Sequence, residues 1–75
     1  MKNVFTVLVK ARKDDKFVDW DMLMASCCTE NISCNMLEIL ERNGIITVNR
    51  RSIKKVILTS AGYRYALEYI AKEGN

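Results

Sequence analysis

Leu40-Glu41-Arg42-Asn43-Gly44-Ile45-Ile46 is the stretch on which the reading of this 75-residue chain turns. Leading into it, Ile32, Met36, Ile39, Leu40 and Asn43 repeat at steps of three or four, with Leu37 widening the apolar face. That is the spacing of a helix with one buried side. Glu38 and Arg42, four apart, are expected to pair on its solvated side, worth roughly a few tenths of a kcal/mol. Asn43-Gly44 then stops the helix, because glycine accepts the left-handed backbone of a helix C-terminus without a Cβ penalty.

After Gly44 the period changes from helical to alternating. Ile46 and Val48 alternate with Ile45 and Thr47, Asn49 to Lys54 is polar, and Val56 and Leu58 alternate with Lys55 and Ile57, which reads as a β-hairpin. Its tip, Asn49-Arg50-Arg51-Ser52-Ile53-Lys54-Lys55, holds four positive charges and no acid, against a net charge of +3 for the whole chain. The remainder is therefore slightly acidic. Thr59 offers a side-chain oxygen to cap a last helix. One stripe of that helix is Tyr63, Ala66, Leu67 and Ile70, and a second is Tyr65 and Tyr69.

Upstream, Trp20, Leu23, Met24 and Cys27 fall on one face of a short helix with Met22 pointing partly outward and Asp19 as its natural N-cap. Thr29, Glu30 and Asn31 interrupt the pattern with turn-forming residues. Phe17 and Val18 read as a short edge strand. The first segment is ambiguous. Val4, Phe5, Leu8 and Val9 suit a helix, whereas β-branched Val4, Val7 and Val9 suit a strand equally well.

Length and composition bound the function. One core and a single domain over residues 1–75 are expected, with 49% hydrophobic and 28% charged residues in the range of globular proteins. No apolar run reaches the ~18 residues of a membrane span, and no cleavable leader is evident, so a cytoplasmic location is expected. Cys27, Cys28 and Cys34 are an odd number and crowd together, which argues for buried small side chains in a reducing compartment and against a disulfide framework. With no histidine for a fourth ligand, no metal and no cofactor are expected. A redox thiol would want a neighbouring cation, and the nearest charge is Glu30. The same poverty of acid-base groups argues against an enzyme.

The order helix, turn, helix, Gly, two strands with a basic tip and a capped helix, spanning roughly residues 19 to 70, resembles winged helix-turn-helix regulators of the MarR-like and PadR-like type. Leu40 to Ile46 is similar to the end of their recognition helix, and Leu58-Thr59-Ser60-Ala61-Gly62 to their entry from the wing into the next helix. The resemblance implies an α+β, mostly helical fold: a three-helix core, a two- or three-stranded wing and a C-terminal helix. It also makes Val4 to Arg12 helical.

For function it implies a small transcriptional regulator on double-stranded DNA, its second helix in the major groove and its wing on the backbone. That helix would begin near Thr29 to Ser33, turning Glu30, Asn31, Ser33, Cys34 and Asn35 outward. Asn31 and Asn35 are suited to adenine edges and Ser33 to a base or phosphate. Arg50 and Arg51, supported by Lys54 and Lys55, would meet phosphates. The helix itself has no Lys or Arg before Arg42, and Glu30, Glu38 and Glu41 are repelled by phosphate. A homodimer through Tyr65 and Tyr69 would offset that deficit. The competing reading is a winged helix that docks a protein and binds no specific DNA.

Overall fold

The computed structural model describes residues 1–33, 35–51 and 53–73. Cys34 and Ser52, both named above, lie outside them. The chain runs α1 (Lys2–Lys13), β1 (Val18–Asp19), α2 (Trp20–Thr29), α3 (Met36–Arg42), β2 (Ile46–Asn49), β3 (Lys55–Leu58), α4 (Ser60–Glu73). Its class is α+β, with four helices on a three-stranded antiparallel sheet of order β1-β3-β2 among the described residues.

The first segment is a helix, and the reason is tertiary. Val4, Phe5, Leu8 and Val9 are all buried, a set that only a 3.6-residue period aligns on one face. α1 packs chiefly along α4, where the Tyr65 and Tyr69 rings meet buried Phe5 edge-on at 5.8 and 5.1 Å. Arg12 locks the far end of α1: its guanidinium donates to the Leu58 carbonyl and to Ser60 Oγ, and lies 5.5 Å from the centre of the Tyr63 ring.

β3 is the middle strand. Val56 sits opposite Val48 on one side and Val18 on the other, so three β-branched side chains line up across the sheet. This register shifts the first strand to Val18–Asp19 rather than Phe17–Val18. Val18 turns into the core and Phe17 lies half-exposed. Asp19 occupies the N-cap position of α2 but makes no capping bond with its side chain. The Trp20 N–H goes instead to the Lys54 carbonyl, tying α2 to the hairpin.

Three helices stop in one way. After α1, Asp15 (φ 57°) is left-handed, and the N–H groups of Asp15 and Lys16 bond the carbonyls of Arg12 and Ala11. After α2, Asn31 (φ 57°) and Ile32 do the same toward Cys28 and Cys27. After α3, Gly44 (φ 76°) and Ile45 do so toward Glu41 and Leu40. Each stop satisfies two carbonyls that the helix cannot pair itself.

The two stretches that carried the sequence reading touch each other. The Thr59 hydroxyl donates to the Gly44 and Ile45 carbonyls, its oxygen accepts the Gly62 N–H at 2.9 Å, and the Thr59 N–H bonds the Ile45 carbonyl at 3.0 Å. α4 thereby runs so close to Ile45 that a Cβ on residue 62 would lie 1.8 Å from the Ile45 oxygen. Glycine is required there by contact, not by backbone angle.

Two helix faces differ from expectation. On α3, Leu37 and Leu40 are buried whereas Ile39 is 41% exposed, because a seven-residue helix meets the core along one narrow line. On α4, Ala66 is buried and Leu67 is 40% exposed, the core-side places beyond Ala66 being taken by half-buried Tyr69 and Ile70. Cys27 is buried as expected, but Cys28, one position further round the helix, is exposed. Among the described residues, no helix is long and apolar enough to cross a membrane.

Candidate nucleic-acid interface

The β2–β3 hairpin carries the basic segment between Asn49 and Lys55. Asn49 begins the turn, its side-chain oxygen accepting the Arg51 N–H at 3.2 Å, a local bond that competes with continuing the strand. Arg51, Ile53, Lys54 and Lys55 are all exposed. Lys55 sits in register between Asn49 and Asp19. The Lys54 ammonium lies 5.2 Å from the centre of the Trp20 ring, over a cleft also lined by Asp19, Asp21 and Ile53.

Arg50 is engaged differently. Its guanidinium is bidentate on the two carboxylate oxygens of Glu41, on α3. The bonds from Arg50 hold the Glu41 carboxyl below its ordinary value against the opposing effect of desolvation, and the nearby Lys54 charge adds to the lowering. Glu41 in turn raises the Arg50 pKa. The pair Glu38–Arg42 does not form: among the described residues the ion pairs within 4 Å are Arg50–Glu41 and the Met1 ammonium with Glu30. The hairpin folds back beside α3, and its arginine reaches the carboxylate at 41.

The connection between α2 and α3 departs most from the sequence reading. α3 begins at Met36, later than the Thr29–Ser33 start expected, so Asn31 and Ser33 are not on it. Asn31 is the left-handed residue that ends α2. The Ser33 carbonyl takes the Met36 N–H at 3.0 Å and its hydroxyl takes the Asn35 N–H at 3.3 Å, so Ser33 builds the turn. Asn35 alone adjoins α3, at its N-cap position and without a side-chain cap. The exposed surface of α3 and its ends is Asn35, Glu38, Ile39, Arg42 and Asn43.

Glu30, expected to face outward, instead turns to the start of α1, where one carboxylate oxygen accepts from the Met1 ammonium at 3.3 Å and the Asn3 N–H at 3.2 Å. Desolvation pushes its pKa up. The bonds from the Asn3 N–H, the ammonium and the Val4 N–H outweigh it, and the net shift is down. A negative charge at a helix N-terminus is also favourable to the helix dipole. Sequence patterning misses this contact, because Glu30 and Met1 meet only when α1 and α2 pack.

Tyr65 and Tyr69 are not a face apart from the core. Both rings lie edge-on to Phe5, Tyr69 is half-buried, and only Tyr65, 49% exposed, leaves substantial surface to a partner. No protein-family model matches the chain, and neither the curated proteins nor the solved structures include a significant match.

Proposed function

We propose that the chain is a winged helix DNA-binding domain of a small transcriptional regulator, with the β2–β3 hairpin as the wing. The observation that carries this reading is the hairpin tip: four cations without an acid, three of them, Arg51, Lys54 and Lys55, exposed and outside any ion pair among the described residues. Arg51 and Lys55 are the leading phosphate contacts. Lys54 leaves Trp20 to join them, and Arg50 serves mainly to brace the wing on α3. Asn35 and Arg42 flank the α3 surface that would face the major groove, with Ile39 available to a thymine methyl.

Three phosphate contacts give a dependence of log affinity on log salt of about −3 per copy. Binding by one copy is therefore weak and salt-sensitive. A homodimer doubles the phosphate term and matches two half-sites, and Tyr65 is the exposed aromatic around which it would form. Residues 20 to 44 carry four acids against one base, which favours a second reading, a winged helix that docks a basic protein surface with α2 and α3.

Fluorescence anisotropy of the purified chain on labelled random-sequence duplex separates the two. The DNA reading expects binding at low salt that weakens steeply toward physiological salt, and a slope reduced by about 1 in Arg51→Ala. Absence of binding at low salt favours the docking reading.

A further inference from the structure

The wing and the helix-turn-helix leave unused a groove where α1 and α4 run together. The groove is open and lined by Thr6, Val9, Lys10, Lys13, Leu67 and Ile70. Its floor is apolar: Val9 is buried, Ile70 half-buried, and Leu67 is 40% exposed beside buried Ala66. Its α1 rim is cationic. Lys10 and Lys13 are exposed, belong to a helix that contains no acid, and take no ion pair among the described residues. α1 has 12 residues, about 18 Å of helix, enough to accommodate two to three turns of a third helix.

We propose that this groove docks an acidic amphipathic helix of a partner protein, its apolar stripe on Leu67, Ile70 and Val9 and its carboxylates on Lys10 and Lys13. A helix is the element that fits a trough between two helices, reading it through anchors three and four residues apart. The lysines choose the partner's charge. They also disfavour a second copy related by a twofold axis through the groove, since that arrangement sets Lys10 and Lys13 against their own equivalents. This inference does not depend on DNA binding, because it uses none of the wing residues.

The test uses the full chain and two synthetic helical peptides with the same leucine stripe, one flanked by glutamates and one by lysines. The acidic peptide is expected to bind at least tenfold more tightly, with amide shifts confined to α1 and α4. Leu67→Asp, at an exposed site where the fold tolerates it, should weaken binding at least tenfold, with an unchanged circular dichroism spectrum as control. The double variant K10E/K13E should invert the preference toward the basic peptide. Equal affinity for both peptides, binding that Leu67→Asp leaves intact, or shifts mapping to the wing would overturn the proposal. So would sedimentation showing that Leu67→Asp dissolves a homodimer.

Discussion

The ends of α2 and α3 share one hydrogen-bond pattern but not one kind of residue. At both, the residue after the cap is left-handed and its N–H and the next N–H close on the last turn. At α3 that residue is Gly44, which has no side chain, so its presence after a helical pattern has one meaning. At α2 it is Asn31, whose amide is also a good reader of adenine. Asparagine tolerates the left-handed region better than most residues with a Cβ, and the end of α2 uses that tolerance. An ambiguous residue type acquires its role from the backbone angle at its position.

The sharpest way to break the comparison is at the partner of the Gly44 stop. Gly62→Ala forces a methyl into the Ile45 carbonyl and should cost on the order of 3 kcal/mol or more, read as a lowered urea midpoint. A wild-type midpoint would mean that α4 does not approach the end of α3 this closely. Next come the stops themselves. Gly44→Ala and Asn31→Ala should each cost about 1 kcal/mol, whereas Asn31→Gly should be neutral or slightly stabilising. Should Asn31→Gly weaken DNA binding without changing stability, the asparagine reads DNA after all.

Smaller effects are expected at Glu41 and Glu30, two of the three carboxylates expected on the DNA face. Glu41→Gln releases Arg50 and removes a charge that repels phosphate, so affinity for duplex DNA should rise several-fold and the salt slope steepen by about 1. A loss of affinity would instead make the Glu41–Arg50 contact a necessary brace.

The least effect concerns acid stability. The Glu30 pKa is lowered on folding, so its contribution is complete above the ordinary carboxylate value of about 4.3 and is lost as pH falls through the lower folded value. Urea midpoints taken from about pH 7 to about pH 3 should therefore fall less in Glu30→Gln than in the parent chain.

Much of the fold was legible, for identifiable reasons. Gly44 and Thr59 act through the backbone next to them, and the alternation of Ile46, Val48, Val56 and Leu58 matches the register that pairs Ile46 with Leu58 and Val48 with Val56. The candidate site was less legible. Arg50 was placed on the hairpin tip, but its partner Glu41 belongs to another element, and nothing in local spacing announces the pair. Ile39 and Leu67 carried the right period for burial and are exposed, because periodicity gives a face and not the width of the neighbour that covers it.

By itself the sequence determined where α2, α4 and the hairpin occur, that a helix precedes Gly44 and stops there, how α4 is capped and that the positive charge concentrates between residues 49 and 55. These are consequences of local backbone preference and of hydrophobic period, which act over one or two turns. Periodicity alone left the first segment open between helix and strand. Only the tertiary structure decided between them, and it alone decided that α3 begins no earlier than Met36, that β3 lies between β1 and β2, that Gly62 is needed for close approach, that Glu30 serves α1 and that Glu41 holds Arg50. Each of those depends on atoms distant in the chain brought within a few ångströms by burial of the shared core, and burial is a property of the packed molecule.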